Sequence, residues 1–332
     1  MKVLFIGGTG LISTATARQL LEAGHEVTLF NRGKSENRLP EGAKEIHGDR
    51  KNYDEFESTF DGMHFDCVVD MVAFSPEDTA SAIRAFKGKT GHFIHCSTVC
   101  VYSGPVQTIP TPETEPFHSI GGYGQNKIRC EQLLNQAHEE KQFPVTIVRP
   151  SHSYGEGGSI IRAFGPANGY IERMRQGKPV IIPDGGECVW ASLHVDDLAR
   201  GFITLMGRHK TIGEAYNITG DEAVTWRNYH QQVAEVAGGA FHPIFIPRQI
   251  LSQWAPDWSG GLNEIFAFTS HFDNSKIKRD TDYQGQTISW KEGVARNLSW
   301  LEGRDKPLLK HEDDEKEDQL IAKWNDLVAA NS

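Results

Sequence analysis

The chain has 332 residues, a net charge of −10 and a balance of 38% hydrophobic to 23% charged residues. That length suits one large domain or two joined ones. The acidic balance argues against a nucleic-acid backbone as partner, and no run approaches the roughly 20 apolar residues of a membrane span. Cys67, Cys96, Cys100, Cys130 and Cys188 show neither disulfide nor metal-ligand spacing, which fits a reducing cytoplasm and predicts no metal site.

An apolar run of strand length, Lys2–Ile6, opens the chain and leads directly into Gly7-Gly8-Thr9-Gly10-Leu11-Ile12-Ser13. No targeting segment is expected before it, because Met1-Lys2 runs straight into the first strand. A helical pattern follows from Thr14 to Ala23 and stops at Gly24. Strand, glycine turn and helix form the context of a dinucleotide fingerprint. Gly7 and Gly10 take its first two positions, where the backbone turns tightly and approaches a pyrophosphate at the helix N-terminus. Ser13 stands where a small residue lets the helix lie close to the strand.

Glu26–Phe30 reads as a second strand, ending at Asn31-Arg32-Gly33-Lys34. This position normally carries an acid that holds the adenosine ribose of NAD. A neutral Asn31 tolerates a 2′-phosphate, and Arg32 can pair with one or stack on adenine. NADP is therefore slightly favoured over NAD. Lys44–His47 is a third strand; Asp49 beyond it either meets the adenine edge or serves as a turn residue.

Asp66–Val72 is a fourth strand, and Ser75-Pro76-Glu77-Asp78 starts a capped helix. Gly91–Ser97 and Pro144–Val148 are the fifth and sixth strands, separated by a long helix from about Gly122. Strands alternating with helices predict an α/β fold: a Rossmann-like, doubly wound parallel sheet over residues 1–152. From 153 to 332 the segments become richer in Gly, Pro and Trp. This part is expected to be a smaller, interleaved C-terminal substrate domain, with segments returning to the sheet. Thr225 and Ser289 are expected helix caps, and Leu320, Ile321, Trp324, Leu327 and Val328 mark an amphipathic terminal helix.

Tyr123 and Lys127 lie at i and i+4, on one helix face. They follow a strand that ends His95-Cys96-Ser97-Thr98, and ligands of parallel sheets bind beyond the strands' carboxyl ends. There Tyr123 can exchange a proton with a carbinol or carbonyl oxygen and Thr98 can hydrogen-bond the same oxygen. Lys127 can bind the nicotinamide ribose, and its charge is expected to favour the phenolate of Tyr123.

These features, with the tail Leu193-His194-Val195-Asp196-Asp197-Leu198-Ala199, resemble the extended short-chain dehydrogenases/reductases. The resemblance is to the branch of NAD-dependent epimerases and dehydratases, and it covers residues 1 to about 302. It implies an NAD(P)-dependent epimerase or dehydrogenase that transiently oxidises a hydroxyl of a carbohydrate-like substrate. A simple NADP-dependent reductase of a small carbonyl compound or polyol is the alternative, and a homodimer is compatible with either. By resemblance the catalytic set is Tyr123, Lys127, Thr98 and Cys100. The cofactor would be met by Gly7, Thr9, Gly10, Leu11, Ile12, Asn31, Arg32, Lys34, Asp49, Lys127 and Ser151. The substrate would be met by Thr98, Tyr123, His152 and Trp190.

The sequence also departs from the family pattern. Val99 and Cys100 replace the Asp and Glu of the dehydratases, which argues against elimination of water. Trp190-Ala191 replaces an Arg-Asp pair that often binds a sugar-nucleotide diphosphate, and His152 replaces a substrate-facing Asn. Cys100 matches a cysteine that acts as acid/base in a related sugar epimerase family, with packing as its other reading. A glycine turn ending in Ser, with a basic residue after the second strand, is also similar to a plant chloroplast branch described as RNA-binding. That resemblance leaves a non-catalytic alternative.

Overall fold

The computed structural model describes residues 1–34, 39–141, 143–304 and 306–331. In chain order the strands are β1 (Lys2–Ile6), β2 (Glu26–Asn31), β3 (Lys44–His47), β4 (Phe65–Asp70), β5 (Thr90–Cys96), β6 (Val145–Pro150), β7 (His152–Tyr154), β8 (Val180–Pro183), β9 (Val189–His194), β10 (Ala215–Ile218), β11 (Ala223–Thr225) and β12 (Pro243–Ile246). The α-helices are α1 (Leu11–Glu22), α2 (Tyr53–Thr59), α3 (Pro76–Phe86), α4 (Gly122–Lys141), α5 (Gly169–Arg175), α6 (Val195–Leu205), α7 (Trp226–Ala237), α8 (Arg248–Trp254), α9 (Ser275–Asp280), α10 (Trp290–Glu302) and α11 (His311–Ala330).

Contacts divide the chain into two compact units. The first comprises Met1–Ser153, Leu193–Asp221 and Phe272–Thr287; the second comprises Tyr154–Ser192, Glu222–His271 and Ile288–Ser332.

The first unit is built on a seven-stranded sheet in the order β10-β6-β5-β4-β1-β2-β3, with every pairing parallel. Val3, Leu4, Phe5 and Ile6 are all buried because helices cover both faces of a parallel sheet. Val3 and Phe5 join Ala17, Leu20, Leu198 and Phe202 in one core. Leu4 and Ile6, pointing the other way, join Phe56, Phe86 and Leu134. The strand order reverses between β1 and β4, and that switch point lies beside the glycine turn.

Strand ends shift where side chains intervene. β4 stops at Asp70, whose carboxylate accepts the Val72 N–H at 3.1 Å and both bonds of Arg50 Nη1 at 2.8 Å. The sixth strand runs on to Pro150, and beside it lies β10, which the sequence pattern did not reveal. It is four residues long and enters the sheet from a distant stretch of chain.

In the second unit β8 pairs in parallel with β12, and β9 pairs antiparallel with β11. Its core is aromatic, with Trp226 and Tyr229 of α7 against Trp290 of α10. Thr225 and Ser289 cap α7 and α10 through the N–H groups of Asn228 and Glu292. Helix α11 docks on its own unit: buried Arg162 holds Glu317 at 2.6 Å, and Arg173 pairs with Asp314 and Asp318. No helix among the described residues is long and apolar enough to cross a membrane.

Candidate active site

At the β1–α1 turn Gly7 has φ +86°, a conformation L side chains rarely adopt, and an added Cβ would lie 2.4 Å from Val72 Cγ1. Its backbone N–H donates to Phe30 O at 2.9 Å. Ser13, buried in the first turn of α1, donates to Gly7 O at 2.7 Å and so ties the helix to the turn. Gly10 differs in kind. It is the exposed N-cap of α1 with φ −79°, and a Cβ there would meet only Ser13 Oγ at 3.5 Å. No side chain caps this end and no acid lies in the first turn, so its N–H groups are open to an anion. Thr9, Leu11 and Ile12 are all partly exposed around it.

At the end of β2, Asn31 is largely committed to its own turn. Its Oδ1 accepts the Gly33 N–H at 2.7 Å and its Nδ2 donates to Glu45 Oε1 at 2.8 Å. A carboxylate from β3 therefore backs the position where β2 itself supplies none. Arg32 and Lys34 are exposed beyond it. Asp49 accepts the Lys51 N–H at 2.9 Å, the geometry of a turn residue.

The sheet edge at β5 brings together Thr98, Tyr123 and Lys127. Lys127 is buried, and its Nζ donates to Cys96 O at 2.6 Å and Ala73 O at 2.8 Å. An ammonium carries three N–H groups, so one remains for a ligand. Thr98 Oγ1 accepts the Cys100 N–H at 3.1 Å and lies near enough to the Tyr123 phenol to favour its ionised form. The expected lowering of the phenol's pKa by Lys127 is not found. Burial raises it above the ordinary tyrosine value, Cys96 and Cys100 add to this, and Thr98 opposes it. Tyr123 still exposes 47% of its surface, so the loss of hydration is local to one part of the side chain.

Cys100 does not lie on a strand: Val99–Tyr102 is a turn of 3₁₀ helix with Thr98 as its cap. The alternation of a strand therefore cannot place its side chain. Its nearness to Tyr123 comes from the packing of α4 on this turn, where an added Cβ on Gly124 would lie 2.4 Å from Cys100 O.

Sequence reasoning missed the residues that anchor this arrangement. Glu131, one helical turn beyond Lys127 on α4, accepts Ser97 Oγ at 2.5 Å and is paired with Arg149 of β6. Arg149 reaches on to Tyr102 Oη and to Glu113 O. Extending the Tyr123/Lys127 spacing by four residues was the available signal.

Ser151 is 6% exposed and its Oγ has no hydrogen-bond partner among the described residues, an orphaned hydroxyl at the carboxyl end of β6. Burial pushes the pKa of His152 down to about 4, which keeps its imidazole neutral. Trp190, expected to face substrate, is only 5% exposed in the second unit's core. It stacks on Trp226 at 4.8 Å and meets Phe266 edge-on, so its ring is spent on packing.

The profile of the NAD dependent epimerase/dehydratase family matches residues 3–219. The chain belongs to that family. It is an NAD(P)-dependent enzyme of the extended short-chain dehydrogenase/reductase type. A 2′-dehydrokanamycin reductase of Streptomyces kanamyceticus is 25% identical over 273 residues, 82% of this chain and 76% of the relative. The chloroplast stem-loop binding protein of 41 kDa b of Arabidopsis thaliana is 30% identical over 251 residues, 71% of this chain and 63% of the relative. A UDP-glucose 4-epimerase from Thermotoga maritima, solved with UDP-glucose, superposes with a TM-score of 0.74. It is 23% identical and covers 91% of this chain and 99% of its own, a likeness of fold.

For a member of this epimerase/dehydratase family the residues present fit a dinucleotide. The space left by the missing Cβ of Gly10, the uncapped start of α1, the spare N–H of Lys127 and the orphaned Ser151 hydroxyl are features a bound ligand would complete.

Proposed function

We propose that this protein is an NAD(P)-dependent epimerase or oxidoreductase acting on a hydroxyl or ketone of a sugar-like substrate. The convergence of Thr98, Tyr123 and Lys127 at the carboxyl edge of β5 carries this reading. A nicotinamide bound there supplies hydride acceptance or donation. Tyr123 takes the proton of the reacting hydroxyl or returns it to the carbonyl oxygen. Thr98 hydrogen-bonds that oxygen, and Lys127 donates to the nicotinamide ribose. With a cofactor held by Lys127, the phenol's surroundings would differ from those of the free protein, and Tyr123 would serve as the acid/base.

The turn at Gly7 and Gly10, with Thr9, Leu11 and Ile12, would hold the pyrophosphate, and Ser151 would meet the cofactor at β6. NADP is favoured because β2 ends without an acid and Arg32 and Lys34 stand exposed to meet a 2′-phosphate. Glu45, bonded to Asn31, pulls the other way, so the preference is modest. Neutral His152 would contact substrate as an acceptor or donor without charge. With Val99 and Cys100 in place of the dehydratases' Asp and Glu, water elimination is not part of the reading.

Fluorescence titration with NADH and NADPH tests the reading. Binding below millimolar concentration is expected, and failure of both cofactors to bind overturns it. Arg32→Ala should weaken NADPH alone. Aldoses, polyols and UDP-hexoses are then screened for cofactor reduction and epimerisation. The likeness to the stem-loop binding protein motivates a parallel gel shift with stem-loop RNA. Tight RNA binding without turnover would favour the non-catalytic alternative, which the net charge of −10 opposes.

A further inference from the structure

Asp70 ends β4 with both carboxylate oxygens bound by Arg50 Nη1 at 2.8 Å. Both side chains are buried, and Arg50 Nη2 reaches on to Asp78 O at 2.7 Å. A buried carboxylate needs a cation, a proton or several donors. Here a second cation stands close by. In the β4–β5 register Asp70 lies opposite His95, and the next residue, Cys96, offers the carbonyl that holds Lys127 Nζ at 2.6 Å. Three residues beyond Asp70 the chain offers the other, Ala73 O at 2.8 Å. Asp70 and Lys127 both act on the Cys96 thiol, the ammonium lowering its pKa and the carboxylate raising it.

The remaining groups of this cluster are committed. Asp78 is taken by Lys51 at 2.6 Å and by the N–H groups of Phe74 and Ser75. Burial, with Lys127 and Arg50, holds the pKa of His95 well below the usual histidine value, so its imidazole is neutral. Among the described residues no carboxylate pairs with Lys127, which rests on its two carbonyls. Asp70 is thus the buried charge beside Lys127 whose pairing decides what that ammonium does.

We propose that Arg50 is a positioning residue that keeps Asp70 from pairing with Lys127. The inference rests on the reading of Lys127 as the donor to the nicotinamide ribose, and adds the residue that leaves this donor free. In a buried site an unclaimed carboxylate would draw the ammonium toward itself. The third N–H of Lys127 would then be satisfied inside the protein and lost to a ligand. Arg50 prevents this by taking both oxygens of Asp70, and its bond to Asp78 O keeps it in place.

Arg50→Gln keeps a donor for Asp70 and removes the charge. Affinities for NADPH and for 2′,5′-ADP, which lacks the nicotinamide half, are measured by calorimetry. The proteins are wild type, Arg50→Gln, Arg50→Lys and the double variant Arg50→Gln, Asp70→Asn. Arg50→Gln should bind NADPH about tenfold more weakly, the order of one weakened hydrogen bond from a charged donor, with 2′,5′-ADP within about twofold. The double variant has no carboxylate to capture Lys127 and should return to within about threefold of wild type, as should Arg50→Lys. A purely structural brace is missing from the double variant too, so an equal loss there overturns the proposal. Unchanged NADPH affinity in Arg50→Gln, or a loss shared by 2′,5′-ADP, overturns it as well. Should Arg50→Gln not fold, the double variant decides alone. A crystal structure of Arg50→Gln without cofactor reads the same event directly: Asp70 should lie within about 4 Å of Lys127 Nζ, and an Asp70 left in place counts against the proposal. Wild type that binds neither NADPH nor NADH refutes the ribose reading instead, and that crystal structure still shows whether Arg50 holds Asp70 from Lys127.

Discussion

Glu131 and Arg149 form a two-armed ion pair inside the sheet unit, with Nη2 to Oε2 at 2.5 Å and Nε at 3.1 Å from both oxygens. Their side chains are 0% and 5% exposed. Glu131 also takes the hydroxyl of Ser97, the neighbour of Thr98, so one carboxylate joins α4, β6 and the end of β5. Glu131→Ala leaves a buried guanidinium without its partner and should cost about 3–5 kcal/mol in urea unfolding. The double variant Glu131→Met, Arg149→Met should recover much of that, because it removes both desolvated charges. A single variant as stable as wild type would show the pair to be energetically idle.

The two fingerprint glycines should respond oppositely. Gly7→Ala combines a positive φ with a clash at Val72 and should destabilise by more than about 1 kcal/mol. Gly10→Ala meets no obstacle within the protein, so its melting temperature should stay near wild type while NADPH affinity falls at least tenfold on the order of a lost phosphate contact. Equal loss of stability in both variants would mean that Gly10 serves folding rather than a ligand.

Histidines that fold in neutral form make stability fall in mild acid. Gly207 N–H donates to His92 Nδ1 at 3.1 Å. Thr146 Oγ1 gives its proton to Thr211 O, so His92 Nε2 must donate to it at 2.7 Å. That tautomer is neutral, and burial pushes the pKa of His92 down to about 4 and of His230 to about 3. As pH falls below about 6.5 the unfolded chain takes up these protons first. Stability is therefore full above that value and declines until the folded-state pKa values are reached. Each histidine contributes a slope of up to about 1.4 kcal/mol per pH unit. Urea midpoints at pH 7 and pH 5 check this, and His92→Gln should flatten the difference.

Tyr123→Phe should retain the fold and NADPH affinity while losing a hundredfold or more in turnover, the order of a positioned acid/base. Full activity in that variant would remove the phenol from the mechanism.

Turnover in deuterated water separates epimerisation through a carbon acid from hydride transfer alone. If Cys100 removes a proton next to the oxidised carbon, deuterium enters carbon in product or recovered substrate and disappears in Cys100→Ala. Robust turnover without deuterium, unchanged in the variant, reduces Cys100 to packing.

The sequence by itself determined the strand–turn–helix at Gly7, the parallel α/β order and the caps at Ser75, Thr225 and Ser289. These depend on neighbours a few residues apart: periodicity, backbone freedom and the reach of one side chain to the next turn. It also put Tyr123 and Lys127 on one helix face. Only the tertiary structure decided what they meet. Lys127 is held by carbonyls 31 and 54 residues away, Trp190 is absorbed into an aromatic core, and Cys100 sits on a 3₁₀ turn set by the Thr98 cap. The helix spacing could place Glu131 on the face of Tyr123 and Lys127, but strand β10 and the pairing of Glu131 with Arg149 were silent in the sequence for the same reason. Their partners are chosen by the packing of distant segments, and no local pattern of residues encodes that choice.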